Sequence, residues 1–121
     1  MFSRIKKWIP VGKVPELSSE ELNLLLKNSD DSVQILDVRT RAEWRSGHIK
    51  GATNIPIINL NSAADDLNFD KSTTVVTICL SAHRSIPAVR VLTDLGYTDV
   101  KQLTGGMRAW NKLYKHELEK P

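Results

Sequence analysis

The chain reads as an α/β domain: a mostly parallel central sheet flanked by helices on both faces. Two observations predict this. Thr74 to Leu80 is β-branched and apolar without a charge, the composition of a strand covered on both sides, and Val33 to Val38 is a second strand, apolar through Ile35 and Leu36. Between such runs lie stretches with apolar residues at helical spacing, of which Ala88, Val91, Leu92 and Leu95 at i, i+3, i+4 and i+7 are the clearest. Short buried strands alternating with amphipathic helices imply parallel strands joined by crossovers. In that architecture functional loops leave the carboxyl ends of the strands.

Residues 1–10 place Phe2, Ile5, Trp8 and Ile9 at helix-like spacing among Arg4, Lys6 and Lys7. They read as an N-terminal arm, frayed or core-docked, with a short interfacial anchor as the alternative. A single domain is expected over residues 11–121, opening with a short edge strand at Val11 to Val14 that Gly12 and Pro15 limit. Ser18-Ser19-Glu20-Glu21 is a capping box, with Leu17 and Leu22 as its hydrophobic staple. The helix it starts runs to about Asn28 on a stripe of Leu22, Leu25 and Leu26, and Asn28 to Ser32 is a turn.

The Val33–Val38 strand ends on Asp37 and Arg39, charges that belong at a ligand crevice. Thr40 to Arg45 predicts one or two helical turns carrying Glu43 and Trp44, broken by Gly47. Ile49, Ala52, Ile55 and Pro56 suggest a short strand, Asn59 to Leu67 a weak helix, and Asn68 to Ser72 a polar turn. After the central strand come the loop from Cys79 and a helix that admits Pro87 only in its first turn and stops at Gly96. Val100 to Leu103 is the last strand. Gly105-Gly106 then allows a sharp turn into a helix holding Met107, Trp110, Leu113 and Leu118.

Composition excludes more than it suggests. The 121 residues are 40% hydrophobic and 26% charged, with a net charge of +3 spread over scattered Lys and Arg, so no basic stripe points to nucleic acid. No apolar run is long enough for a signal peptide or a membrane span, and a cytoplasmic location is expected. One cysteine rules out an intrachain disulfide, a redox pair and a thiolate-rich zinc site, and His48, His83 and His116 lack ligand spacing. Any second thiol must come from another molecule.

Cys79 is the candidate nucleophile. A loop between a strand end and a helix start aims backbone N–H groups at one spot, and a thiol there, near Arg84, is favoured as thiolate, the nucleophilic form. The alternative is an inert core cysteine at the end of an apolar strand.

Three segments together resemble the rhodanese family of sulfurtransferase domains. They are Asp37-Val38-Arg39 with Glu43-Trp44, Gly47-His48-Ile49-Lys50-Gly51-Ala52 and Asn54-Ile55-Pro56; the loop from Cys79 to Arg84-Ser85; and Leu103-Thr104-Gly105-Gly106-Met107-Arg108-Ala109-Trp110. The resemblance implies that Cys79 takes the outer sulfur of a donor such as thiosulfate or a persulfide, holds it as a covalent persulfide, and passes it to cyanide or a thiol, which a protein can carry. No other cofactor and no metal is implied. Substrate binding would fall to Leu80, Ser81, Ala82, His83 and Arg84, with Arg84 as the cation for donor and thiolate. Asp37, Arg39, Glu43, His48 and Ser85 would be structural support, and Trp44 and Trp110 core packing.

Two departures from the family's loop stand out. Ala82 replaces the usual glycine, and Leu80 stands where many members carry a cation. Less positive charge favours a neutral or protein-borne persulfide over thiosulfate. Two further readings stand beside the sulfurtransferase: a non-catalytic rhodanese-like binding or regulatory module, and a cysteine phosphatase or arsenate reductase. The latter is disfavoured because only four residues separate Cys79 from Arg84 and no loop aspartate offers itself as general acid.

Overall fold

The computed structural model describes residues 12–28, 32–81 and 83–121. The N-terminal arm, Val11, the middle of the Asn28–Ser32 turn and Ala82 lie outside the described residues. Five parallel strands form one sheet: β1 (Glu16–Leu17), β2 (Val33–Asp37), β3 (Thr53–Asn54), β4 (Thr74–Ile78) and β5 (Val100–Leu103), in the order β1-β5-β4-β2-β3. The uncharged run seen in the sequence is the central strand, paired with β2 in register from Val33↔Thr74 to Asp37↔Ile78.

Because side chains alternate along a strand, β4 serves two cores. Val75 and Cys79 share one with Leu36, Val38, Leu60, Val89 and Leu92. Val76 and Ile78 share the other with Ile35, Leu22, Met107 and Trp110. Helices α3 (Ile57–Ala63) and α4 (Ser85–Asp94) cover the first face, α1 (Ser19–Lys27) and α5 (Gly106–Tyr114) the second. Helices thus lie on both faces of a parallel sheet, as the patterning predicts.

Local signals hold at most element ends. Glu21 N–H donates to Ser18 Oγ at 3.1 Å and Ser18 N–H to Glu21 Oε1 at 2.9 Å, completing the expected capping box. Helix α2 (Arg41–Ser46) carries a second box built from Thr40 and Glu43. Pro87 sits in the first turn of α4, and Gly96, at φ +100°, follows that helix.

Three expectations need correction. The edge strand is Glu16–Leu17, two residues beyond the expected segment. Pairing with β5 begins where the Pro15 carbonyl accepts from Gln102 N–H and ends where the Leu17 carbonyl accepts from Thr104 N–H, both at 2.9 Å. Upstream, Val14 turns its side chain onto the α4-side core instead. Helix α3 starts at Ile57, with Pro56 as its first flanking residue, and closes through a short 3₁₀ turn at Ala64–Asp66. Leu113 is 48% exposed, because it lies off the face that Met107 and Trp110 share, and Leu118 packs from beyond the helix.

Candidate active site

The chain leaves β2 toward one sheet edge and β4 toward the other, so the carboxyl ends of these neighbours form a topological switch point, where open α/β sheets bind ligands. There Val38 N–H donates to the Ile78 carbonyl at 2.9 Å, which sets the Asp37–Arg39 segment beside the start of the cysteine loop. The sequence-based placement of Asp37, Arg39 and Cys79 on one rim therefore holds.

Cys79 is the first residue past β4 and is 1% exposed. Its Sγ lies 3.6 Å from Ser85 Oγ, at the first residue of α4. The Ser85 hydroxyl donates to Gln102 Oε1 at 2.7 Å, and Gln102 Nε2 donates to Glu16 Oε2 at 3.3 Å. A buried polar chain thus ties the thiol to the neighbouring strand β5, each link satisfying a group that burial would otherwise leave costly.

The loop is also held through its carbonyls. Met107 N–H donates to the Cys79 carbonyl at 2.8 Å and Arg108 N–H to the Leu80 carbonyl at 3.0 Å. Otherwise unpaired donors at the start of α5 thereby fix the peptide planes of Cys79 and Leu80. Gly106 makes the approach possible: its φ is +58°, and a Cβ there would lie 2.7 Å from the Leu80 carbonyl carbon. Further along, exposed His83 places Nδ1 3.3 Å from Ser81 Oγ.

Arg84, flanking the start of α4, is half-buried and faces Glu43 of α2 in a two-pronged pair, Nη1–Oε1 at 2.7 Å and Nη2–Oε2 at 3.0 Å. Glu43 Oε1 also accepts from Thr40 N–H at 3.0 Å and Thr40 Oγ1 at 3.1 Å. Arg84 first, and these Thr40 hydrogen bonds after it, pull the Glu43 carboxyl from 4.5 down to about 2. Glu43 in turn pushes Arg84 up. The cation expected to serve a donor anion therefore already holds a carboxylate.

Arg39 and Asp37 make a buried pair at 2.7 Å, and Arg39 Nη2 also donates to the Gly47 carbonyl at 2.8 Å. His48 is buried against Trp44. Its Nδ1 donates to the Trp44 carbonyl at 2.8 Å, its ring stacks on Trp44 at 4.0 Å, and its backbone bridges to Glu119. Trp110 is buried as core, whereas Trp44 is half-buried against His48.

Sequence reasoning missed Gln102, Asn54 and the backbone role of Met107 and Arg108. Asn54 Nδ2 donates to the carbonyls of Asp37 and Arg39, each at 3.0 Å. A polar Gln inside an otherwise buried strand was a visible signal for the first. Among the described residues, no group of three or more His, Cys, Asp or Glu is placed to hold a metal ion. Nor is any helix among them long and apolar enough to cross a membrane.

A parallel α/β domain with a buried cysteine opening a loop at its switch point is the class that fold and site define. The chain belongs to the rhodanese-like domain family, whose model matches residues 18–113. It is similar to a protein named sulfurtransferase from Allochromatium vinosum, 35% identical over 97 residues that cover 80% of this chain and 88% of that one. YrkF of Bacillus subtilis is 35% identical over 99 residues, 82% of this chain, and the chain spans only about half, 52%, of that relative's length. The crystal structure of a rhodanese-like domain protein from Staphylococcus aureus matches with a TM-score of 0.77 at 30% identity, covering 89% of this chain and 99% of the other.

Proposed function

We propose that this domain is a sulfurtransferase that carries the transferred sulfur on Cys79. The observation that carries the reading is the position of the chain's one cysteine: at the carboxyl end of the central strand, at the switch point, beside the Ser85 hydroxyl and at the head of a loop braced by α5. Relatives named for sulfur transfer support the same class of reaction.

The reaction proceeds in two displacements. The Cys79 thiolate attacks the outer sulfur of the donor, the donor's bond to that sulfur breaks, and the remainder leaves with the electron pair. Cys79 is then a persulfide. An acceptor thiolate or cyanide attacks the outer sulfur, and the Cys79 thiolate departs to restore the starting state. The Ser85 hydroxyl stabilises the thiolate by turning its single proton from Gln102 toward the sulfur. The loop's backbone N–H groups and the start of α4 complement the anion in both steps.

A second reading, a binding module without turnover, draws support from the 1% exposure of Cys79. Steady-state transfer from a persulfide donor to cyanide, followed as thiocyanate, separates the two. Turnover that disappears in Cys79→Ser supports the transferase, and no turnover above the Ser variant with any donor supports the module.

A further inference from the structure

Beside the cysteine loop lies a groove of about 390 Å³ whose lining includes Val38, Arg41, Pro56, Ile57, Ile58 and Arg84. Arg84, the last residue of the cysteine loop, is one of its lining residues. Val38 belongs to the core that contains Cys79 and Ile57 packs against it, so the groove borders that core as well as the last residue of the loop. Its wall carries Ile58, which is 88% exposed, an apolar side chain standing uncovered at the rim. Its two cations differ in state. The Arg84 fork is filled by Glu43, whereas Arg41, exposed at the first position of α2, makes no ion pair among the described residues.

We propose that this groove seats the organic part of the sulfur donor, and that Glu43 and Arg41 together select an organic persulfide with an apolar body and one carboxylate over the thiosulfate dianion. The inference rests on the sulfurtransferase reading above. Thiosulfate is small, wholly polar and doubly charged. It needs an uncompensated cation near the sulfur, and here it meets Arg84 with a carboxylate already attached. An organic persulfide needs no such cation at the reacting end. Its carbon chain gains by covering Ile57, Ile58 and Pro56, and its carboxylate finds in Arg41 a free guanidinium of matching geometry. The Cys79 thiolate attacks the outer sulfur of R–S–SH, the S–S bond of the donor breaks, and R–S⁻ leaves with the electron pair while the proton stays on the sulfur now bound to Cys79.

The test is the single-turnover rate at which Cys79 in the full chain gains sulfur from three donors: thiosulfate, the persulfide of ω-mercaptohexanoate, and that of ω-mercaptohexanol. The carboxylate persulfide is expected to react with the largest second-order rate constant and thiosulfate with the smallest. Arg41→Gln should slow the carboxylate donor roughly threefold to tenfold and leave the alcohol unchanged. Glu43→Gln should speed thiosulfate by a similar factor, and glutamine preserves the helix cap. Ile58→Ser should slow both hexyl donors without slowing thiosulfate. Thiosulfate as fast as the carboxylate persulfide, an equal loss with both persulfides in Arg41→Gln, or slower thiosulfate transfer in Glu43→Gln would overturn the proposal. Sulfur on Cys79 from all three donors at equal rates sinks the selectivity alone, whereas none from any donor sinks the sulfurtransferase reading beneath it.

Discussion

The Met107 N–H donates to the carbonyl of Cys79 at 2.8 Å, so the last helix of the domain holds the residue that opens the candidate active-site loop. These residues are 28 apart in sequence, and only the Gly105-Gly106 turn lets them meet. Gly106→Ala would drive a Cβ into the Leu80 carbonyl at 2.7 Å and strain a φ of +58°. We expect this variant to lose about 2–4 kcal/mol of stability in urea denaturation and to slow alkylation or persulfidation of Cys79. Gly51→Ala is the control, since nothing lies within 4 Å of its Cβ position and only backbone strain remains.

Asp37 and Arg39 are a buried pair whose attraction is offset by the cost of removing both charges from water. Losing one partner is a different matter. Arg39→Met should cost about 3–5 kcal/mol by leaving the Asp37 carboxylate buried and uncompensated. Arg39→Met with Asp37→Asn together should cost less than Arg39→Met alone, and a double-mutant cycle in urea measures the difference.

Ser85→Ala removes the hydroxyl 3.6 Å from Cys79 Sγ and leaves Gln102 Oε1 without the donor now at 2.7 Å. A loss of about 1–2 kcal/mol in stability is expected. Alkylation of Cys79 should slow, because the sulfur loses the hydroxyl that faces it. Ser85→Thr, which keeps the hydroxyl, should recover most of the rate.

Glu43 couples the site to pH. Its carboxyl is pulled from 4.5 to about 2 in the fold, chiefly by Arg84. The ionised form therefore stabilises the folded state above pH 4.5, and that contribution is lost as pH falls from 4.5 toward about 2. Because the pair is about a third exposed, on the order of 1 kcal/mol at neutral pH is expected after solvent screening. The stability difference between wild type and Glu43→Gln, measured by denaturation across this range, should shrink as the solution is acidified.

Much of this architecture was legible because it is written in period and punctuation. The uncharged run from Thr74 to Leu80 marks the central strand, which ends at Ile78, Ala88 to Leu95 mark the covering helix, and Ser18 with Glu21 mark a cap. The edge strand was harder to place, since two residues carry almost no periodic signal and Val14 is apolar for packing, not pairing. Within the site, Cys79, Arg84 and Ser85 were visible as a local motif. Their partners were not: Glu43 reaches Arg84 from 41 positions away, and Gln102 reaches Ser85 from 17, contacts that only the parallel sheet creates. Glu43 also caps α2 with Thr40, and its second duty to Arg84 has no signature along the chain.

The central claim is that sulfur rides on Cys79, and the intact mass of the protein after exposure to an organic persulfide tests it most directly. The account predicts a gain of one sulfur atom, absent from Cys79→Ser and discharged by cyanide or an acceptor thiol. An unchanged mass under conditions where a free cysteine is persulfidated, or a sulfur that no acceptor removes, would contradict it.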